Sequence, residues 1–291
     1  MSDTFILQCS PYTFKVESGF NEVSSVLVNM YGDRLSPASS FDGFIDYRVS
    51  LCNTTGLRQF LKPQARFLCD DYEPFKPLAR QQAYALFEWG LNWVVSAQEF
   101  SYIIVHAAVV AKDNKAIIFP ASSGSGKSTL TAYLSRNGWR LLSDEMALLI
   151  PNTTSVAPFV RPICLKNSSI ELVKSWFPDA YFSYIARETH KGDIIHMQPD
   201  AHSLACASID ADVVSVVFPK YDENCFLDIY EVDKAGCFKG LAENAFNHSI
   251  LGGEGTNTLI DIVEQASCYE IHYSNMQEVN QFLNEVVQAH G

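Results

Sequence analysis

The chain has 291 residues, of which 47% are apolar and 19% are charged, and its formal net charge is −12. The apolar fraction is large enough for a full hydrophobic core, and the charged fraction is too small for a disordered chain. The acidic balance argues against DNA, RNA or an anionic membrane as a partner, because all three are polyanions.

The N-terminus has no basic region ahead of an apolar stretch, so the sequence does not predict a secretory signal. The most apolar run, residues 103–111, is too short to span a bilayer. Eight cysteines are irregularly spaced without a C-x-x-C pair, which favours reduced thiols over a zinc site or a disulfide framework. Together these features predict a cytoplasmic protein.

The first part of the chain predicts short strands and turns followed by one helix. Residues 41–49 alternate in places like a half-buried strand, and the prolines at 63, 74 and 77 interrupt any long element. Residues 79–97 carry apolar side chains at intervals of three or four, which is typical of an amphipathic helix. We therefore predict a small α+β N-terminal domain over residues 1–98.

The pattern changes after residue 98. Residues 102–110 and 116–119 are rich in isoleucine and valine and predict two buried strands. A loop rich in glycine and serine follows, and then a helix with Leu130, Tyr133 and Leu134 on one face. This succession predicts an α/β domain over residues 99–291.

The rest of that domain begins with a strand. Residues 139–142 predict this strand, which leads to an acidic pair, and apolar character resumes over residues 146–150. The chain closes with an amphipathic helix, whose apolar face consists of Val279, Phe282, Leu283, Val286 and Val287.

Residues 121–128, here named the phosphate-loop motif, match G-x-x-x-x-G-K-[ST] except that Ala121 replaces the first glycine. Small residues allow backbone N–H groups to point at phosphate oxygens, and the following helix presents its positive end to the same anion. Lys127 is expected to bridge two phosphates, and Ser128 to place its hydroxyl on Mg²⁺. The nucleotide-binding residues predicted here are Ser122, Ser123, Gly124, Ser125, Gly126, Lys127, Ser128 and Thr129.

The acidic pair Asp144–Glu145 follows the phosphate-loop motif by one helix and one strand. The end of that strand is expected beside the motif, since ligands of α/β sheets collect at the carboxyl ends of strands. One carboxylate would hold Mg²⁺, and the other would accept the proton of an attacking hydroxyl group. His106 lies within an apolar run, where a single histidine is more often a packed core residue than a functional one.

Three segments together resemble the catalytic domain of HPr kinase/phosphorylase. They are His-Ala-Ala-Val at 106–109, Ser-Ser-Gly-Ser-Gly-Lys-Ser at 122–128, and Gly-Trp-Arg-Leu-Leu-Ser-Asp-Glu at 138–145. That family carries a His-Gly-Val segment, a Gly-Asp-Ser-Gly-x-Gly-Lys-Ser loop and a Leu-Val-x-Asp-Asp strand end. Further segments are similar to the HPr-related kinase branch, type A, and lie at residues 87–93, 161–167, 191–192 and 244–247.

The resemblance implies an α/β P-loop kinase domain of the HPr kinase/phosphoenolpyruvate carboxykinase type, with ATP and Mg²⁺ as cofactors. It implies that Lys127 and Ser128 bind phosphates and metal and that Asp144 acts as the base. His106 would polarise Asp144 or contact the transferred phosphoryl group. The expected catalytic residues are thus Asp144, His106 and Lys127, and the expected metal ligands are Ser128 and Glu145.

The chain departs from the bifunctional members of that family in two places. Glu145 stands where they carry a second aspartate, and their Glu-x-Arg-Gly signature is missing. The nearest stretch, residues 188–193, has Thr189 at the position of the metal-binding glutamate. Arg161, Lys166, Lys191 and Lys220 are candidate clamps on phosphate or acceptor, because cations stabilise the charge of the transferring group.

These observations predict an ATP-dependent kinase that phosphorylates a serine or similar hydroxyl of a small acceptor protein or peptide. An HPr-like carrier and a precursor peptide are the expected acceptor classes, and the resemblance also allows a homo-oligomer. Two alternatives remain open: a kinase of small molecules, and a non-catalytic ATP-binding module. A pure binding module would have little use for the combination of Lys127 and Asp144.

Overall fold

The computed structural model describes residues 3–54, 62–122 and 124–290. Contacts within the chain divide it into two compact units. Unit 1 comprises Met1–Gln98 and Cys164–Gln198, and unit 2 comprises Glu99–Ile163 and Pro199–Gly291. Residues 164–198, assigned above to the catalytic domain, thus pack with unit 1. The domain assignment itself stays a prediction, since compactness does not show independent folding.

The elements of the first 98 residues alternate short strands with two helices. In chain order they are β1 (Asp3–Cys9), β2 (Tyr12–Ser18), α1 (Asn21–Tyr31), β3 (Leu35–Pro37), β4 (Tyr47–Asn53), β5 (Gln64–Cys69), β6 (Leu78–Ala79) and α2 (Ala83–Gln98). The strand predicted over residues 41–49 begins only at Tyr47. The predicted helix is confirmed as α2, and a 3₁₀ turn over Arg80–Gln82 precedes it.

The next elements run to residue 198. They are β7 (Ile103–Val105), β8 (Ala107–Lys112), β9 (Lys115–Pro120), α3 (Lys127–Ser135), β10 (Arg140–Ser143), β11 (Ala147–Leu149), β12 (Ser155–Ala157), β13 (Ile163–Lys166), α4 (Ser168–Trp176), β14 (Ala186–Thr189) and β15 (Gly192–Met197). The last group is α5 (Ala201–Ala205), β16 (Ala211–Tyr221), β17 (Leu227–Glu231), α6 (Lys234–Glu243), α7 (Gly252–Gln265), β18 (Ser267–Tyr273) and α8 (Met276–Ala289).

Unit 1 contains a sheet in the order β3-β1-β2-β4-β5-β6, in which only the β2–β4 pair is parallel. The order of its small second sheet is β13-β15-β14. Residues near the start of α2 bind the later segment directly. Gln82 Nε2 donates to the carbonyl oxygen of Arg187 at 2.8 Å, and Tyr84 N donates to Tyr184 Oη at 3.0 Å. Unit 1 is therefore built from two separate stretches of chain.

Unit 2 is built on a mixed sheet with the strand order β10-β8-β9-β16-β12-β11-β7, to which β18 and β17 are added beside β16. Strand β16 is parallel to both β9 and β18, whereas β8 is antiparallel to its neighbours β9 and β10. The core of unit 2 consists of buried aliphatic side chains from the sheet and from α6 and α7. The strands β7, β8, β9 and β11 are nearly continuous apolar runs, as expected for strands covered on both faces.

The predicted amphipathic helices of unit 2 are present. Leu130 and Leu134 of α3 are buried, while Tyr133 is partly exposed. Helix α8 buries Val279, Leu283, Val286 and Val287, with Phe282 partly exposed at the edge of that face. Within the three ranges that the structure describes, no helix is long and apolar enough to cross a membrane.

Candidate functional site

The strand directions in unit 2 bring three chain segments to one edge of the sheet. Strands β9 and β10 both pair antiparallel with β8, so they run in the same direction and end where β8 begins. Ala107, the first residue of β8, pairs with Pro120, the last residue of β9. The backbone N–H of Ala107 also donates to the carbonyl oxygen of Glu145 at 3.2 Å. His106, the phosphate-loop motif and the acidic pair therefore meet at this edge.

The apolar run around His106 forms two strands instead of the single strand predicted over residues 102–110. Strand β7 pairs with β11, whereas β8 pairs with β9 and β10. His106 lies in the break, where its backbone N–H donates to the carbonyl oxygen of Asn244 at 2.7 Å. Apart from the polar His106 itself, the composition of the run does not mark this break. The tertiary contact to a distant segment decides it.

Residues 244–247 form hydrogen bonds with strand β7. Val105 forms an isolated antiparallel bridge with Ala245, and the amide of Ile104 donates to Asn247 Oδ1 at 2.8 Å. Asn247, 2% exposed, donates in turn to the carbonyl oxygens of Tyr102 and Glu99. Its side chain therefore anchors the strand that leads into His106.

The phosphate-loop motif joins β9 to α3 through two glycines in the left-handed region. Gly124 has φ of 93° and Gly126 has φ of 87°, a range that disfavours residues with a Cβ. Gly126 is the N-cap residue of α3 and, as a glycine, has no side chain to accept from the first turn of that helix. The first-turn amides of α3 thus form the kind of site that binds an anion. Ser123 lies outside the described residues.

Lys127 and His106 are in direct contact. Lys127 Nζ lies 3.2 Å from His106 Nε2 and 3.5 Å from the carbonyl oxygen of Ala121, and the lysine is only 7% exposed. An ammonium group has no acceptor, so Nε2 of the imidazole accepts from it and the ring proton belongs on Nδ1. The ring of Phe246 stands edge-on to His106, with 6.0 Å between centroids. His106 and Lys127 thus form one polar pair beside the phosphate-loop motif.

Ser128 connects the motif to the acidic pair. Its Oγ donates to Asp144 Oδ2 at 3.1 Å, and Asp144 is 5% exposed. Both groups offer hard oxygen ligands, and Mg²⁺ in nucleotide sites usually takes one or two protein oxygens while phosphates and waters supply the rest. Ser128 and Asp144 therefore offer oxygen atoms of the kind that would hold a magnesium ion.

Glu145 is partly buried, and its backbone is fixed by Ala107. Among the described residues there is no group of three or more His, Cys, Asp or Glu side chains that could hold a metal without help from a ligand. Thr129, the remaining predicted contact, lies in the first turn of α3 and is partly exposed.

The four candidate cations are divided between the units. Arg161 belongs to unit 2, is 8% exposed, and places its guanidinium 5.0 Å from the centroid of Phe159. Lys220 is exposed near the end of β16, also in unit 2. Lys166 and Lys191 belong to unit 1, where Lys191 Nζ lies over the ring of Trp89.

Two tyrosines beside the motif were not predicted. A Cβ built on Gly126 would lie 2.8 Å from Tyr273 Oη and 2.9 Å from Tyr221 Cβ, so both residues touch this glycine. They end the strands β18 and β16, which run parallel to β9. In the sequence, each tyrosine is visible only as the last residue of a strand. That β16 and β18 lie side by side is known only from the tertiary structure, because the two strands are far apart in the chain.

No family model matches the chain, and no curated protein matches it either. Among solved structures, the HPr(Ser) kinase/phosphatase from Coxiella burnetii is similar, with 13% sequence identity and a TM-score of 0.31. The similarity covers 64% of this chain and 95% of that chain. A likeness at this TM-score carries no argument about chemistry.

Proposed function

We propose that this chain is an ATP-dependent kinase that transfers the γ-phosphate to a hydroxyl group of a small carrier protein or peptide. The observation that carries the proposal is the hydrogen bond between Ser128 and Asp144, next to the contact between Lys127 and His106. It joins a motif suited to phosphate with a buried carboxylate suited to proton transfer.

In this proposal the loop amides and Lys127 would hold the phosphates, and Ser128 and Glu145 would hold Mg²⁺. The metal would neutralise charge on the phosphates. His106 keeps Lys127 in place by accepting a hydrogen bond from it, and Arg161 is a further candidate for stabilising charge. Glu145 would be the carboxylate at the metal.

Asp144 would act as the base in the transfer. The oxygen of the acceptor hydroxyl forms a bond to the γ-phosphorus while the bond from that phosphorus to the β,γ-bridging oxygen breaks. The proton of the hydroxyl passes to the Asp144 carboxylate, and the electron pair of the broken bond leaves on ADP.

The test is a phosphotransfer assay with γ-labelled ATP, Mg²⁺ and three acceptor sets: HPr-like carriers, candidate precursor peptides and a metabolite mixture. The proposal expects label in a protein or peptide. We expect Asp144→Asn to lower kcat by about 10²–10⁴-fold with little change in nucleotide affinity. Lys127→Ala should weaken nucleotide binding itself, since it removes the only cation of the motif.

Matched controls are Asp228→Asn and Lys239→Ala, because both wild-type side chains are exposed and lie in the same unit. Neither should change transfer by more than about twofold. Label found only in metabolites would replace this proposal with a small-molecule kinase. Tight ATP binding without any transfer would favour a binding module. If Asp144→Asn abolished the dependence of binding on Mg²⁺, Asp144 would be a metal ligand and another group the base.

A further inference from the structure

The phosphate-loop motif has a second flank that the proposed chemistry does not use. In the sheet order β10-β8-β9-β16-β18, the acidic pair lies two strands to one side of β9. On the other side come β16 and β18, which are parallel to β9 and therefore end at the same edge. Their last residues, Tyr221 and Tyr273, lie opposite each other in the register.

Both tyrosines are built against the motif. The backbone N–H of Tyr221 donates to the carbonyl oxygen of Ser125 at 3.0 Å, so the end of β16 is tied to the loop. Tyr273 Oη lies within contact of the position that a Cβ would take on Gly126, as described above. A glycine is required here because the tyrosines occupy the space of a side chain, in addition to the positive φ.

Tyr273 is completely buried, yet its hydroxyl has no hydrogen-bond partner among the described residues. A buried hydroxyl without a partner is costly and is rarely retained without a reason. Burial raises the pKa of Tyr273, so the phenol stays protonated and is able to donate. The hydroxyl points at the loop, where a bound phosphate would offer an acceptor.

Tyr221 differs from Tyr273 in exposure, since 50% of its surface is accessible. The two rings meet edge-on, with centroids 6.0 Å apart and an interplanar angle of 84°. The buried ring thus holds the exposed ring at the rim of the loop. An aromatic ring fixed in this way is suited to packing against a planar base, because every nucleobase has a π face.

We propose that Tyr221 and Tyr273 form the nucleoside side of the site, on the flank of the loop away from Asp144. Tyr221 stacks on the base of a nucleoside triphosphate, and Tyr273 Oη donates a hydrogen bond to its phosphate chain. This inference rests on the proposed function, since it takes the motif to bind a nucleotide. It also orients the ligand, with the transferred phosphate toward Asp144 and His106.

The experiment compares two probes by titration calorimetry: MgATP and magnesium tripolyphosphate, which has the phosphates but no base. We expect Tyr221→Ala to weaken MgATP binding by about 5- to 150-fold, the range for losing one base–aromatic stack, without affecting tripolyphosphate. Tyr221→Phe should restore ATP affinity. Tyr273→Phe should weaken both ligands by about tenfold, because it removes a donor to a charged group common to both.

The control is Tyr230→Ala, which removes another exposed tyrosine, on β17 of the same unit. It should leave both affinities unchanged. Unchanged ATP binding in Tyr221→Ala, or an equal loss for both probes, would overturn the inference, while the proposed function would survive as long as the wild type binds ATP. If the wild type binds neither probe, the proposed function fails and the inference fails with it.

Discussion

The two ends of strand β10 carry opposite charges that are equally buried and differ in their partners. Arg140 at the start and Asp144 just beyond the end are each 5% exposed. The Arg140 guanidinium donates to several acceptors of the same unit: the carbonyl oxygens of Cys206, Ile209 and Asp210, and Asn114 Oδ1. Asp144 instead accepts from Ser128, at the first turn of α3.

The difference shows that burial alone does not reveal the role of a charge. Arg140 ties loops together, and its acceptors are mostly backbone carbonyls that need a donor in the folded state. Burial lowers the pKa of Arg140, although a guanidinium remains protonated at neutral pH. Asp144 is held by a hydroxyl that suits a metal ion or a phosphate. The first charge is expected to support stability, and the second to support chemistry.

The largest effect on stability is expected for Arg140, at the start of β10. Arg140→Met keeps the volume but removes every donor, so four acceptors lose their partner. We expect a loss of about 3 kcal/mol in the free energy of unfolding, measured by urea denaturation. Nucleotide affinity of the fraction still folded should be unchanged.

The control is Arg48→Met, at an exposed arginine, which should cost less than about 0.5 kcal/mol. A cost below about 1 kcal/mol for Arg140→Met would contradict the structural role of this charge.

The next largest effect is expected for His106, which lies at the edge of the sheet where β10 ends. His106→Asn shortens the side chain that accepts from Lys127 Nζ, so the lysine loses one of its positioning contacts. We expect kcat to fall by about 10- to 100-fold, with KM for ATP changing less, because the lysine matters most when charge develops on the transferring group. Steady-state kinetics with the acceptor measures both values.

His202→Asn, at an exposed histidine of the same unit, is the matched control and should leave both parameters unchanged. A melting temperature that falls by many degrees in His106→Asn, together with unchanged kcat, would show that the histidine is a packing residue.

The smallest effect on stability is expected for an ion pair in unit 1. Arg66 binds Glu73 through two hydrogen bonds, at 2.9 and 2.6 Å, and both side chains are less than one-third exposed. The hydrogen bond from Arg66 lowers the pKa of Glu73. We expect Glu73→Gln to cost up to about 1 kcal/mol at pH 7.

The pH dependence of that cost follows from the sign of the shift. A lowered pKa in the folded state means that the ion pair contributes fully above the unfolded pKa of about 4.3. The contribution is lost as the pH falls through the folded value, so wild type and Glu73→Gln should converge in acid. Glu17→Gln, which breaks an exposed single contact to Lys15, should cost less. A difference that grows below pH 4 would contradict the assignment.

The local structure around the candidate site can be predicted from the sequence, because it depends on neighbouring residues. The phosphate-loop motif combines small residues, lysine and serine in one short stretch, and α3 begins at Lys127, within that stretch. Whether these residues bind ATP stays a prediction. The strand before Asp144 was recognisable from its apolar run, although its order in the sheet was not.

Other features depend on contacts between residues far apart in the chain, so no local pattern marks them. The break at His106 is made by Asn244, and the tyrosine flank is made by the ends of β16 and β18. The structural role of Arg140 depends on carbonyl groups about seventy positions away. Backbone acceptors leave no signature in a sequence, because every residue has one.

Unit 1 consists of two separate stretches of chain, and this affects when it can fold during synthesis. On the ribosome, residues 1–98 emerge before residues 164–198, which supply Tyr184 and Arg187 to the start of α2. During that interval Gln82 and the amide of Tyr84 lack their later partners. Unit 1 can complete its packing only after the phosphate-loop motif and Asp144 have been synthesised, so its folding cannot finish before part of unit 2 has left the ribosome.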